Sequence, residues 1–194
     1  MLFRDLANPR GRLWPWLVIA VILTGTVLVE RTEGRIWWCA CGQWNLWAGD
    51  IWSAHNSQHL FDPYTFSHVL HGMLFFWLLA WVFPRLSLSW RLCVATVIEA
   101  GWEILENSRF IIDRYREATI ALGYEGDSIV NSMGDVLSCA VGFFVARRLG
   151  LLWSAVFFVL TELILLFLIR DNLTLNVLML LCPIDAVKQW QMVH

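Results

Sequence analysis

Apolar residues are concentrated in five blocks, separated by shorter polar or aromatic segments. The blocks cover residues 13–29, 64–83, 90–106, 128–146 and 151–169. A helix needs about 20 apolar residues to cross the hydrocarbon core of a bilayer. The pattern therefore predicts an all-α, polytopic membrane helix bundle with five transmembrane helices, folded as a single integral membrane domain over residues 1–194.

The segments outside these blocks have distinct characters. The first block resembles a signal peptide, but charged residues follow it instead of a small-residue cleavage site, which favours an uncleaved span. Residues 30–63 carry five tryptophans and are predicted to form an interfacial or re-entrant segment. Residues 107–127 are predicted to form a polar loop. The tail at 173–187, interrupted by Pro183, predicts an interfacial helix or half of a sixth span.

Composition agrees with a membrane location. Hydrophobic residues make up 58% of the chain, against about 45–50% in a typical soluble domain. The 13 tryptophans suit the membrane–water boundary, so membrane lipids are the predicted surroundings. A single lysine and the lack of a basic run argue against nucleic acid as a partner.

The charges of the loops predict an orientation. The N-terminal segment and the turns at 85–91 and 147–148 carry seven arginines and one acidic residue, Asp5, whereas the opposite loops carry as many basic residues but nearly all the acids. Basic residues in short loops favour the cytoplasm. We therefore expect a bacterial inner-membrane protein with a cytoplasmic N-terminus.

This topology places ionisable residues of three spans at one depth near the outer face. They are His68 and His71 in the second span, Glu99, Glu103 and Glu106 in the third, and Asn131 and Asp135 in the fourth. Residues three, four or seven apart share a helix face, so each span presents one polar face. Because a charge in hydrocarbon costs about 2.5–3.5 kcal/mol, the three faces should converge. Gly101, Gly134 and Gly142 are expected to permit close helix approach.

Metal binding is one chemistry that fits this cluster. Imidazole and carboxylate groups are ligands for zinc, iron and manganese, so a divalent metal is the expected cofactor. His68, His71 and Glu103 are the predicted ligands within the helices, and neighbouring acids would orient the imidazole rings.

Metal-free acid–base catalysis is the other chemistry that fits this cluster. Carboxylates crowded in a low dielectric cannot all ionise, so at least one holds a proton near neutral pH. Glu99, Glu103 and Asp135 are the candidate catalytic acids and bases. Asn131 and Ser128 would orient a substrate through hydrogen bonds.

The tryptophan-rich loop holds further candidate ligands. His55 and His59 lie four residues apart, and on a short helix capped by Asp50 they would share a face and could bind a metal. An interfacial surface is the alternative for this segment. Cys39 and Cys41 form a C-x-C that suits a soft metal outside the membrane, or pairing with another cysteine, or simple burial. A disulfide within C-x-C would be strained.

Three segments together resemble a known family. They are W-N-L-W-A-G-D-I-W-S-A-H-N-S-Q-H-L-F-D-P-Y-T-F-S-H-V-L-H-G, E-A-G-W-E-I-L-E-N-S and Y-E-G-D-S-I-V-N-S-M-G-D. They are similar to an uncharacterised family of small multi-pass inner-membrane proteins found mainly in alphaproteobacteria. That resemblance covers most of the chain and implies the membrane fold, but it carries no established activity.

A weaker similarity runs to VanZ-like membrane proteins. Members of that group show an acid and a histidine opening one span, acids in the next, and an Asp-x-x-x-Asn pattern in the third. The corresponding positions here are Asp62 with His68 and His71, then Glu99 and Glu103, then Asp127, Asn131 and Asp135.

Two functions follow from these observations. The leading hypothesis is a membrane-embedded enzyme that carries out metal-assisted hydrolysis or transfer on a lipid or lipid-linked substrate at the outer leaflet. The alternative is a non-enzymatic membrane protein, either an assembly partner or an ion or proton carrier. Its polar cluster would then be a structural network neutralised by Arg109, Arg114 or Arg116. The chain has no H-E-x-x-H, P-loop or G-x-S-x-G motif, which argues against the standard hydrolases and nucleotide-binding proteins.

Overall fold

A computed structural model describes residues 9–193, with side chains from Leu13 onwards. Its helices are α1 (Pro9–Thr32), α2 (Thr65–Val82), α3 (Leu88–Glu106), α4 (Arg109–Ala118), α5 (Ile129–Ile169), α6 (Leu173–Leu181) and α7 (Asp185–Met192). No strand forms within these residues, so the predicted all-α class is confirmed for them. Arg4 and Asp5, two of the charges behind the predicted orientation, lie outside the described residues.

Three helices are long and apolar enough to cross a membrane, which indicates a helical membrane protein. They are Leu13–Thr32 within α1, all of α2, and α5. Helix α3 coincides with the third predicted span but is not among them, and it carries one arginine and three glutamates. The prediction of five or six spans is therefore not confirmed.

Helix α5 joins the fourth and fifth predicted spans. Its 41 residues are interrupted at Gly150, whose φ of 74° and ψ of 171° are not helical. A straight helix of this length would extend about 60 Å. Instead Asn131 near its start and Asp171 just after its end line the same cavity, so the two arms fold back on one another at Gly150.

The polar segment at 107–127 contains a helix that the sequence analysis did not predict. Helix α4 begins after Ser108, whose side chain accepts a hydrogen bond from the backbone N–H of Ile111. Its buried residues are Ile111, Ile112, Tyr115 and Ala118, a helical spacing that the surrounding charges concealed. The prediction of a loop was wrong for this part of the segment.

The tryptophan-rich segment has turns where the sequence suggested a short helix capped by Asp50. Asp50 accepts a hydrogen bond from the backbone N–H of Trp52 at 2.9 Å, which closes a turn. Within the segment, the backbone N–H of Ala48 donates to the carbonyl of Phe61 at 2.9 Å. At the other end of the chain, α6 and α7 are short helices of 9 and 8 residues separated at Pro183. Neither reaches the length of about 20 residues that a span requires.

Helices α2 and α5 cross in backbone contact. A Cβ atom at Gly72 would overlap the carbonyl oxygen of Cys139, and one at Gly142 would overlap the carbonyl oxygen of Val69. Gly142 was predicted for this purpose, whereas Gly72 was missed. Gly134 lies against the loop at Leu60 and not against a helix, and a Cβ at Gly101 would meet nothing within 4 Å, so its predicted role in packing was wrong.

The apolar core and the polar residues occupy different levels of the bundle. The largest core cluster contains Leu70, Met73, Phe76 and Leu79 of α2 together with Phe143 of α5. It begins directly behind the polar turn of α2, so the ionisable side chains gather at the end of the bundle where α2 and α5 begin and α3 ends.

Candidate functional site

A cavity of about 70 Å³ lies at this polar end of the bundle. It is large enough for several water molecules or a hydrated ion. Five carboxylic acids line it, from helices and from the residues that precede them: Asp62, Glu106, Asp127, Asp135 and Asp171. His68 and His71 line it as well, and among the described side chains no lysine or arginine does. We refer to it as the acidic cavity.

Glu99 holds both histidines of α2. Its Oε1 lies 2.6 Å from His68 Nδ1, and His71 Nδ1 lies 3.1 Å from both of its oxygens. An ionised carboxylate only accepts hydrogen bonds, so Nδ1 of each ring carries the proton and donates it. In a neutral ring with this tautomer the lone pair is on Nε2, and Nε2 of His68 lies 3.8 Å from Asp135 Oδ2.

Glu103 and Asp135 flank His68, and each has at least one carboxylate oxygen that lacks a hydrogen-bond partner among the described residues. Glu103 is fully buried, at 0% exposure, and neither of its carboxylate oxygens has a hydrogen-bond partner among the described residues. Its Oε1 is 3.4 Å from His68 Nδ1, but that nitrogen already donates to Glu99. Asp135 Oδ1 and Asn131 Nδ2 are also buried without a hydrogen-bond partner there. Such groups are costly unless something else satisfies them.

The predicted site residues of the helices therefore come together. One ligand atom each from His68, Glu103 and Asp135 lie within 4.8 Å of one another, and the same holds for His68, His71 and Glu99. We call these five residues the bundle cluster. Asn131 lines the cavity beside them. Their roles as ligands, acids or bases stay predictions.

Other residues named in the sequence analysis make hydrogen bonds to the backbone that stabilise the fold. The hydroxyl of Ser128 caps α5 by accepting from the backbone N–H of Asn131 at 3.2 Å, and it donates to the carbonyl of Gln58 at 3.1 Å. Ser128 therefore helps to hold the start of α5, and its role in orienting a substrate stays a prediction. Arg114 donates to the carbonyl of Leu180 and Arg116 to that of Tyr124, so neither uses these bonds to neutralise the bundle cluster.

Several residues of the cavity were not assigned from chemistry or helix spacing. Asp62, Asp127 and Asp171 each lie two or three residues before a helix begins. Burial raises the pKa of Asp127 to about 7, although Tyr124 donates to it. Burial likewise raises the pKa of Asp171 to about 6 against hydrogen bonds from its neighbours. The signal was an acid one or two residues ahead of the segments that begin at 64, 128 and 173.

The predicted loop ligands lie elsewhere. His55 and His59 do not line the acidic cavity. They gather with Cys39 and Cys41, and one ligand atom from each of these four residues lies within 4.8 Å of the others. The sequence analysis weighed the two pairs separately and did not bring them together.

These features define a helical membrane protein with a buried His/Glu/Asp cluster at one end of its bundle. Residues 31–193 match the family model described as "Protein of unknown function (DUF2585)". The chain belongs to this family, which confirms the predicted membership of an uncharacterised alphaproteobacterial family.

Curated relatives extend over nearly the whole chain. The chain is 50% identical over 188 residues to a UPF0314 protein of Rhizobium meliloti, covering 97% of this chain and 95% of the relative. It is 46% identical over 176 residues to a UPF0314 protein of Sphingopyxis alaskensis, covering 91% and 94% respectively. No solved structure matches the chain. The similarity to VanZ-like proteins is not shown by these relationships.

Proposed function

We propose that this protein is a membrane-embedded enzyme that uses a divalent cation, bound by the bundle cluster, to hydrolyse or transfer a group on a lipid or lipid-linked substrate. The observation that carries the proposal is Glu103, fully buried and without a hydrogen-bond partner for either carboxylate oxygen. Two imidazoles and several carboxylates surround it with no lysine or arginine lining the cavity among the described side chains. A divalent cation would neutralise this charge and satisfy the orphaned oxygens together.

The donor set fits a borderline or hard cation. A ring nitrogen of His68, a Glu103 oxygen and an Asp135 oxygen supply one nitrogen and two oxygens, a combination that zinc, iron and manganese accept. Glu99 would not bind the ion directly. Its hydrogen bond to His68 Nδ1 would instead fix the tautomer of the ring and direct Nε2 away from Glu99. This corresponds to the carboxylate–histidine pairs that orient metal ligands in proteins.

The remaining groups would manage protons and substrate. A bound divalent cation supplies a water nucleophile at neutral pH. The pKa of Asp127, raised to about 7 by burial, suits a group that both accepts and releases a proton near neutrality. Asn131 has a buried amide nitrogen with no hydrogen-bond partner among the described residues, and this nitrogen is available to donate to a substrate oxygen.

The proposed substrate follows from the position of the cavity. Its lining includes residues near the ends of α2, α3 and α5, together with residues of the 107–127 segment. Trp44 is 82% exposed and Phe110 of α4 is 76% exposed, and aromatic side chains of this kind favour the bilayer interface. A substrate held in the membrane by an acyl or isoprenoid chain would reach the cavity from this level.

The proposal includes five membrane crossings with the cavity near the outer face of a bacterial inner membrane. The fold-back at Gly150 supports two crossings within α5, each arm being about 20 residues long. Helix α3 would be the remaining crossing, with its glutamates directed to the cavity end. The arginines of the turns at 85–91 and 147–148 lie at the opposite end, which favours a cytoplasmic location for that end and for the N-terminus.

A structural network is the second candidate, and one observation favours it. Asn107 donates to Ser132 at 3.1 Å and accepts from the backbone N–H of Asp127 at 2.7 Å, and Tyr124 donates to Asp127 at 2.9 Å. This part of the polar region is satisfied without any ligand. An ion or proton carrier is less well supported, because the core behind the cavity is packed with apolar side chains such as Leu70 and Phe143.

Metal content separates the two candidates. We expect protein purified in detergent and loaded with Mn²⁺ to retain bound manganese, and the H68A and E103Q variants to lose it while keeping their helical content. D113N is the matched control, because Asp113 is an exposed acid on α4. Manganese prefers oxygen and nitrogen ligands to thiolates, so the loop cysteines should not contribute. Wild-type protein without bound manganese, together with strongly destabilised variants, would leave the structural network as the function of these residues.

A further inference from the structure

A second group of metal ligands lies in the loop between α1 and α2, outside the acidic cavity. It consists of Cys39, Cys41, His55 and His59, which we call the loop cluster. We propose that the loop cluster is a tetrahedral zinc site whose role is to fix this loop over the acidic cavity. The proposal does not depend on the enzymatic function of the bundle cluster.

The distances within the loop cluster match a zinc tetrahedron. Zinc–sulfur bonds of about 2.3 Å and zinc–nitrogen bonds of about 2.0–2.1 Å place tetrahedral ligand atoms about 3.3–3.8 Å apart. Cys39 Sγ is 3.3 Å from His55 Nδ1, and Cys41 Sγ is 3.9 Å from His59 Nε2. All four ligand atoms lie within 4.8 Å of one another, so side-chain shifts of about an ångström would bring them to the distances that a zinc ion requires.

The backbone around the cysteines directs N–H donors at both sulfur atoms. The N–H of Cys41 donates to Cys39 Sγ at 3.4 Å, and the N–H of Gln43 donates to Cys41 Sγ at 3.4 Å. Hydrogen bonds of this kind stabilise negatively charged sulfur, and the thiolate is the form that binds metals. Both cysteines are free in the structure.

His59 is also positioned to bind a metal ion. His59 is buried, at 2% exposure. Its Nδ1 has no hydrogen-bond partner among the described residues, and its Nε2 has only the long contact with Cys41. The edge of the ring packs on Trp38, with the ring centroids 5.6 Å apart. A buried imidazole held in place without a strong hydrogen bond is costly unless a ligand such as a metal ion satisfies it.

The loop cluster is accessible to an ion. Cys41 and His55 are exposed, and they border a hollow of about 800 Å³ that also contacts the 120–127 segment. The set of two sulfurs and two nitrogens in a tetrahedron is the usual structural zinc site, with no position left open for catalysis. A structural role is therefore favoured over a catalytic one.

The loop cluster ties together the segments that cover the cavity. Beside the cysteines, the carbonyl of Trp37 accepts from the backbone N–H of Val130 at 3.2 Å. Beside the histidines, the carbonyl of Ser57 accepts from the backbone N–H of Ser128 at 2.9 Å, and Ser57 also lines the acidic cavity. A zinc ion between the two turns would fix both against the start of α5.

Cobalt substitution tests the proposal on the full chain purified in detergent under reducing conditions. Co²⁺ bound to thiolates gives a charge-transfer absorption that carboxylate or imidazole ligands do not give. We expect this absorption in the wild type, with one equivalent of Zn²⁺ displacing it, and its loss in C41S and in H55Q. These two residues are exposed, so the variants should keep the fold, which circular dichroism and gel filtration would check.

Two controls separate this site from its alternatives. C182S removes another exposed cysteine and should keep the absorption. E103Q should keep it too, because it alters only the bundle cluster, so failure of the enzymatic proposal would not affect this result. A wild-type protein without thiolate–cobalt absorption would overturn the proposal, and so would absorption that persists in both C41S and H55Q.

Discussion

Glu103 sets the chemistry of the polar end because its two oxygens are buried without a hydrogen bond. Two neighbouring carboxyl groups do have hydrogen-bond partners. Glu99 binds two imidazoles, and Asp62 accepts from the backbone N–H groups of Ser57 and Tyr64 at 2.9 and 2.8 Å. The described residues around Glu103 therefore do not satisfy its carboxylate, although the same region satisfies those of Glu99 and Asp62. A group left unpaired at a cost of about 1–3 kcal/mol is expected where a ligand completes the site.

Replacing Glu103 by Gln should therefore have opposite effects with and without metal. In the presence of a chelator, E103Q should melt at the same temperature as the wild type or higher, since it removes a buried, unpaired acid. With Mn²⁺ at about 100 times its dissociation constant, the wild type should gain about 2.7 kcal/mol, or about 5–10 °C for a chain of this size, and E103Q should gain little. Thermal unfolding in detergent measures both. If E103Q is destabilised under both conditions, the carboxylate is a structural partner and not a ligand.

Asp171 gives the protein a stability that depends on pH. Burial raises its pKa to about 6, and hydrogen bonds from the Asn172 backbone, Tyr64 and Gln191 oppose this. The unfolded value is about 3.9, so the folded state binds more protons between these two pH values. This contribution to stability is complete below pH 4 and is lost as the pH rises through about 6.

The melting temperature of the wild type should consequently fall between pH 5 and pH 7.5 by more than that of D171N, which has no proton to lose. The difference should correspond to about 1–2 kcal/mol. The measurement belongs in excess chelator, so that metal binding adds no pH dependence of its own. Parallel pH profiles for the two proteins would show that Asp171 is not protonated in the folded state near pH 5.

At the scale of helices, glycine decides how closely α2 and α5 approach. Two glycines on different helices face backbone carbonyls across one crossing, Gly72 against Cys139 and Gly142 against Val69. This contact fixes the depth of α2 relative to α5. It therefore fixes His68, one turn before Gly72, opposite Asp135, which lies two turns before Gly142.

A matched pair of substitutions isolates this packing. G72A should destabilise the protein by about 1–3 kcal/mol or more, because neither backbone can move without disturbing the other. G101A makes the same chemical change within α3, where a Cβ would meet nothing within 4 Å. It should be neutral or stabilising by up to about 1 kcal/mol. Chemical or thermal unfolding compares the two, and equal effects would mean that the α2–α5 crossing is not a close contact.

The sequence predicted elements best where one signal dominated. The apolar blocks located α1, α2, α3 and both arms of α5 within a few residues. It failed where signals competed, as in α4, whose arginines concealed a helical stripe of Ile111, Ile112 and Tyr115. The turn between the arms of α5, predicted at 147–148, lies at Gly150 in the structure. Its backbone conformation there is one that only glycine adopts readily.

At the scale of the whole molecule, how well the sequence predicted a contact depended on how far apart its residues lie along the chain. Helical spacing placed His68 beside His71, and Glu99 beside Glu103, and membrane depth brought these pairs together. No local pattern connects Cys39 with His59, which are joined only because two turns of a long loop meet. Likewise, the satisfied network around Asp127 and the orphaned oxygens of Glu103 cannot be told apart in sequence, because both are acids near the end of an apolar block.

The orientation in the membrane is the remaining property of the whole molecule to be tested. The acidic cavity and α4 lie at one end of the bundle and the turns at 85–91 and 147–148 at the other. In a variant lacking the native cysteines, E117C on α4 should react with a membrane-impermeant maleimide in intact cells, because we place this end outside the inner membrane. R85C should react only after the cells are lysed. Labelling of R85C but not E117C in intact cells would invert the molecule and move the proposed lipid chemistry to the inner leaflet, while leaving both candidate metal sites as they are.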